Sequence, residues 1–128
     1  KFLTDTAGTS KVFNGGIVSY TNDVKRKLLD VPEKLLETEG AVSRRCAEKM
    51  ADHVRLVTNA DIGISFTGVA GPENSEGKPV GTVFIGISER DKETTVYSLN
   101  LVGSRKGIRQ RAVNYGFYYL LRHIKKGE

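Results

Sequence analysis

Val80-Gly81-Thr82-Val83-Phe84-Ile85-Gly86-Ile87-Ser88 is the stretch on which the fold turns, because its apolar residues run almost without interruption and are β-branched or aromatic. A strand of that kind is buried on both faces and belongs in the middle of a layered domain. Asp61 to Val69, with Ile62, Ile64 and Phe66, reads as a second central strand. Thr94 to Val102, with Val96, Leu99 and Leu101, reads as a further strand beyond the charged turn Glu89-Arg90-Asp91-Lys92-Glu93. Helical spacing surrounds these strands. Ser43 caps a helix to about Thr58 whose apolar stripe is Ala47, Met50, Ala51, Val54 and Val57, and Ser104 begins a last helix whose buried face is Ile108, Ala112, Tyr115, Tyr119 and Leu120.

Upstream, Val12 to Tyr20 mixes β-branched and aromatic residues with Gly15-Gly16 and reads as a first strand. Thr21-Asn22 then caps a helix from Asp23 to Leu29, and a short helical segment follows Pro32 and ends at Gly40. The alternation predicts an α/β class, a single three-layer α/β/α domain over residues 1–128 with helices on both faces of a central sheet. At 128 residues there is room for one core, and 38% hydrophobic against 27% charged residues is the balance of a folding chain rather than a disordered one. The opening Lys1-Phe2-Leu3-Thr4-Asp5 reads as the interior of an element, so the domain is expected to be truncated at its N-terminus.

Composition also narrows the function. No apolar run is long enough for a membrane and no leader pattern is seen, while one cysteine and two separated histidines offer neither a disulfide nor a zinc cluster; a cytoplasmic setting without membrane contact is expected. The net charge of +5 resides in residues 101–128, where seven basic side chains meet Glu128 alone. Its tyrosines fall at core spacing instead of forming an exposed platform, so a nucleic-acid role is not favoured.

Two places carry candidate chemistry. At the strand-to-helix junction, Tyr20 and Lys25 are delivered to one edge of the sheet, and a lysine in a first helical turn meets the positive end of the helix dipole, which favours the neutral, proton-accepting amine. The same residues also fit a solvated helix face beside a core-edge aromatic. At the end of the second strand, Thr67-Gly68-Val69-Ala70-Gly71-Pro72 opens a loop to Lys78, whose small residues expose backbone N–H groups to an anion, although ordinary turn chemistry would produce the same composition. Arg105, Lys106 and Arg109 stand at the start of the last helix, where they suit a phosphate or open solvent. Cys46 is read as a buried thiol, and His53 and His123 as packing or surface residues.

Taken together, Thr6-Ala7-Gly8-Thr9-Ser10, Gly15-Gly16-Ile17-Val18-Ser19-Tyr20-Thr21-Asn22-Asp23-Val24-Lys25, Gly40-Ala41-Val42-Ser43, Thr67 to Pro72 and Lys78-Pro79-Val80-Gly81-Thr82-Val83 resemble the C-terminal domain of the competence/damage-inducible protein CinA. That domain also occurs alone as a nicotinamide-nucleotide amidase. The resemblance implies hydrolysis of the carboxamide of nicotinamide mononucleotide to nicotinate mononucleotide and ammonia, with no metal and no organic cofactor. It implies catalytic roles for Lys25 and Tyr20, through a Tyr-Ser/Thr-Asn-x-x-Lys pattern in which Thr21 is a mild change, and substrate binding by Asn22, Thr67, Gly68, Ala70, Gly71, Pro72, Lys78 and Arg105. The serine nucleophile of the family lies in a Glu-Ser-Cys-Thr-Gly-Gly motif about eight residues before the position of Lys1, and none of Ser10, Ser19, Ser43 or Ser65 matches it. A homo-oligomer and a nucleotide-binding domain fused upstream are further implications. The alternative is a non-catalytic binding or recruitment module tied to competence or DNA-damage responses.

Overall fold

The computed structural model describes residues 13–126; the readings placed on Lys1 to Val12, including the Gly8-Thr9-Ser10 turn, lie outside them. Seven elements follow one another: α1 Asn22–Leu29, α2 Glu33–Thr38, α3 Arg44–Val57, β1 Ile62–Gly68, β2 Thr82–Glu89, β3 Thr95–Asn100 and α4 Arg105–Lys126. The three strands form one antiparallel sheet in the order β1-β2-β3, with Phe66 opposite Ile85 and Val83 opposite Leu99. β2 is therefore central, as its hydrophobicity requires.

The two faces of β2 differ in chemistry. Val83, Ile85 and Ile87 point one way, and Val83 and Ile85 pack with Ile108 and Ala112 of α4, with Ile64, Tyr97, Leu99 and Tyr119 closing over them. The other face is a checkerboard of small residues, Gly63 opposite Ser88 and Ser65 opposite Gly86, and α3 lies directly on it. The Ser65 hydroxyl donates to the Ala47 carbonyl at 2.6 Å, and a Cβ at Gly86 would come within 2.6 Å of that same carbonyl oxygen. The glycine is thus required by the close approach of the helix backbone to the sheet. Behind α3, a second cluster of Leu29, Val31, Leu35, Cys46 and Met50 binds α1 and α2, with Ile17 packed against it. The result is the expected sheet with helices on both faces.

Local signals explain the helix boundaries. The Thr21 hydroxyl accepts from the Val24 N–H at 3.2 Å, and Ser43 accepts from the Cys46 N–H at 3.2 Å. Ser104 accepts from the Gly107 N–H at 3.1 Å. Each satisfies a donor that a helix N-terminus leaves open.

Three expectations need correction. Residues 13–20 form no strand: the chain runs there without regular structure, because Gly15-Gly16 bring no side chain to pack and the segment takes no rung of the sheet. Its attachments include the Asn14 amide, which donates to the Thr58 carbonyl at 3.1 Å, and Ile17, packed against the cluster behind α3. On α4, Tyr115 is exposed and the buried line is Ile108, Ala112 and Gly116. Tyr119 is half-buried and stacks on Tyr97 with ring centroids 3.9 Å apart. On α3, Val57 is exposed, since the helix has run past the sheet by that turn.

Candidate functional site

Among the described residues β1, expected as a central strand, has no strand beside it on one side and forms an edge of the sheet. The irregular segment 13–20 lies across from that edge, and a cavity of about 960 Å³ opens between them, bounded by residues of α3 and α4. Ser19 and Tyr20 line it from the segment, Thr67, Gly68 and Ala70 from the end of β1, and Arg105 and Arg109 from the first turn of α4. Two regions singled out from the sequence thus face one groove.

Lys25 sits just behind that wall. Its place in α1, where its N–H makes the helix's first backbone bond to the Thr21 carbonyl, turns the side chain inward, and the residue is only 7% exposed. The Nζ donates to the Ser19 carbonyl at 2.6 Å, and Ser19 lines the groove. Among the described residues no carboxylate pairs with this ammonium. Burying an amine without a countercharge is costly, which separates Lys25 from its neighbours Arg26 and Lys27, both paired with Asp23 on the solvent side.

Tyr20 is placed otherwise than expected. Its side chain is 86% exposed, and no hydrogen bond joins it to Lys25 among the described residues. Without a strand to fix alternation, the segment presents the ring at the groove mouth. Asn22, exposed as the first residue of α1, does not line the groove.

The glycine turn is held from several sides. The Thr67 hydroxyl donates to the Ala41 carbonyl at 2.7 Å, and the Val69 N–H to the Thr82 carbonyl at 2.9 Å. Arg105 Nη1 donates to the Gly71 carbonyl at 2.8 Å, so that α4 and the turn are tied together. Gly71 and Pro72 fall just outside the groove lining.

Lys78, expected at an anion, is engaged elsewhere. Its ammonium donates to the Glu39 carbonyl at 2.8 Å and to the Val42 carbonyl, and it pairs with Glu76 at 3.6 Å. Three acceptors satisfy its donors, which leaves none directed at the groove. Glu76, which the sequence reading passed over, accepts from the Ala41 and Val42 N–H groups at 3.0 and 2.9 Å. Burial pushes its carboxyl up, but these two N–H bonds and the Lys78 charge outweigh it and hold the group below its ordinary value. Cys46 is fully buried, and burial pushes its thiol up to about 11, as befits a packing residue rather than a nucleophile.

Among the described residues no group of three or more His, Cys, Asp or Glu side chains could hold a metal ion, and no helix is long and apolar enough to cross a membrane.

The described residues thus form a layered α/β domain with a groove beside β1, a buried amine behind one wall and arginines at another. The chain belongs to the CinA family: the model described as the CinA C-terminal domain matches residues 1–124. It is 54% identical over 124 residues to a competence-damage inducible protein of Bacillus cereus (strain B4264) and 53% identical over the same length to one of Bacillus mycoides (strain KBAB4). In both cases the match takes in 97% of this chain but only 30% of the relative. Among solved structures, the competence damage-inducible protein A (ComA) of Klebsiella pneumoniae superposes with a TM-score of 0.92 at 30% identity, covering 96% of this chain and 76% of that one. The competence/damage inducible protein CihA of Agrobacterium tumefaciens gives 0.89 at 36% identity, covering 94% and 74%.

Proposed function

We propose that this domain contributes the base and the binding groove of an amidase that converts nicotinamide mononucleotide to nicotinate mononucleotide and ammonia, the serine nucleophile coming from chain that precedes residue 1. The observation that carries the reading is the groove itself, with a buried, carboxylate-free lysine at one wall and the Arg105-Arg109 pair at another. In this scheme the amine of Lys25 takes the proton as the serine oxygen attacks the carboxamide carbon, then returns it to the departing nitrogen as the C–N bond breaks. Water hydrolyses the resulting ester with the same amine as base. Tyr20 stands at the mouth, and the N–H groups of Gly68 and Ala70, on either side of the Val69 N–H that Thr82 takes, face the polarised oxygen. The chemistry asks for no metal or organic cofactor.

The complete protein carrying this chain should release ammonia from nicotinamide mononucleotide, and a chelator should leave the rate unchanged. Background release by the complete, folded protein would refute the reading. Arg109 is the sharper probe of the phosphate end, since Arg105 is also bonded to Gly71. Arg109→Ala should raise KM for the mononucleotide by roughly ten- to a hundredfold, the loss expected for a charge-assisted hydrogen bond. The nucleoside, which lacks the phosphate, should be unaffected; equal losses for both would show that Arg109 meets no phosphate.

The exposed apolar positions of α4, Tyr115, Tyr118, Leu121 and Ile124, favour a second reading in which the domain recruits a protein partner or a second copy of itself. Ammonia release by the complete protein separates the two readings.

A further inference from the structure

Ser75 and Lys78 pair across a tight hairpin, with the Lys78 N–H donating to the Ser75 carbonyl at 2.8 Å. The two residues at its tip, Glu76 and Gly77, both have positive φ, 55° and 72°, the geometry of a two-residue hairpin turn. This tip is driven into the connection between α2 and α3, some thirty-five residues away in sequence. Its carboxylate takes the N–H groups of Ala41 and Val42, and its ammonium takes the carbonyls of Glu39 and Val42. Donors and acceptors of one short piece of backbone are thus captured by two side chains of opposite charge. Gly40 completes the fit, since it lies at φ 87° and a Cβ there would stand 2.5 Å from a Glu76 carboxylate oxygen.

The same piece of backbone is bonded to the groove's lining on its other side. Ala41, held by Glu76 through its N–H, accepts the Thr67 hydroxyl through its carbonyl. Thr67 and the Gly68 that follows both line the groove. Beyond the turn, the Gly81 N–H donates to the Val69 carbonyl at 2.7 Å, which joins the two ends of the loop that carries the hairpin.

We propose that Glu76, with Lys78, is a positioning residue for the groove: the hairpin tip fixes the Gly40–Ser43 connection, which through the Ala41 carbonyl fixes Thr67 and the glycine turn that receives the substrate. The statement about substrate rests on the amidase reading, while the statement about the turn does not. Neither side chain touches the groove. Their action is transmitted through backbone that a buried hydroxyl shares.

The test uses the complete protein carrying this chain, with amide hydrogen exchange read beside steady-state turnover of nicotinamide mononucleotide. Glu76→Ala should speed exchange at Ala41 and Val42, and also at Val69 and Gly81, by ~10-fold or more, the consequence of losing bonds to a charged acceptor. Ile85 and Ile87 of β2 should stay within about twofold, and kcat/KM should fall by about the same factor as the Val69 exchange rises, since the turn's N–H groups face the reacting oxygen. Glu76→Gln, which keeps one acceptor oxygen, should fall between wild type and alanine, and it carries every readout should the alanine variant fail to fold. Faster exchange confined to Ala41 and Val42 would overturn the proposal, as would acceleration reaching Ile85 and Ile87 equally, the mark of simple loss of stability. An unmoved kcat/KM in a protein that turns over the mononucleotide would overturn it as well. A wild-type protein that releases no ammonia would sink the amidase reading, and the exchange pattern would still decide whether Glu76 positions the turn.

Discussion

Lys25→Ala in the complete protein is expected to lower kcat by at least ~100-fold, the usual consequence of losing a general base, with KM changed by no more than a few-fold. The reasoning begins with position. The Thr21 cap and the first backbone bond of α1 set the phase of the helix, and that phase sends Lys25 inward while Arg26 and Lys27 reach Asp23. An amine so placed meets a carbonyl, that of Ser19, and no described carboxylate. A lysine kept only for packing would be replaced well by methionine, whose stem is of similar length and which suits an apolar surrounding. Lys25→Met therefore separates the two roles: as base, its loss should be as deep as that of alanine, with the fold kept. Wild-type turnover in Lys25→Met, with unchanged melting, would show that the residue is structural.

The sequence made the framework legible because its signals are local. Nearly unbroken hydrophobicity marked Val83 to Ile87 as central, and Ser43 and Thr21 marked helix starts through side chains that bond three residues ahead. Period alone also carried Ala47, Met50 and Ala51 to the buried face of α3. What it could not carry was the content of a contact. Apolar residues on both faces would also suit β2, yet the α3 side is built from Gly63, Ser65, Gly86 and Ser88, and their value depends on a helix backbone brought close by residues elsewhere in the chain. The choice of Gly116 over Tyr115 is of the same kind, since Gly116 is where the Phe66 ring meets α4.

The candidate site divides along that line. Lys25 was legible because its helix position is local. The glycine turn was legible because its backbone chemistry is. Tyr20 was misplaced by treating residues 12–20 as a strand, since β propensity describes how a residue fits a pleated neighbour and the described segment has none. Lys78 was assigned to an anion because a lysine beside a glycine loop suggests one. Its actual partners, Glu39 and Val42, lie nearly forty residues back, and with Glu76 they turn an apparent ligand contact into a clamp on the main chain. A charge near a glycine turn in sequence is as well suited to holding the turn as to holding what the turn binds.

Residues 1–128 purified alone are expected to fold and to release no ammonia above background, whereas the complete protein turns over. Folding should survive because the sheet has a helix layer on each face and both clusters are filled within the described residues. Catalysis should not, because cleavage of an unactivated carboxamide needs a nucleophile as well as a base, and several of the described serines are otherwise occupied. Ser43 caps α3 while its own hydroxyl donates to Gly40. Ser65 is bonded to Ala47, and Ser88 accepts from Arg55 at 3.0 Å. Ser19 and Ser65 both line the groove, and of the two it is Ser19 whose carbonyl Lys25 bonds, which makes it the residue on which the opposite result would fall. The open groove edge, with Val18 88% exposed and Phe66 partly so, leaves apolar surface worth roughly 25 cal/mol per Å² when covered, so the isolated chain should also associate at least to a dimer in sedimentation. Equal ammonia release by residues 1–128 and by the complete protein would mean that the nucleophile lies within this chain. Loss of that activity in Ser19→Ala would then identify it, and the assignment of the attacking serine to preceding chain would be wrong.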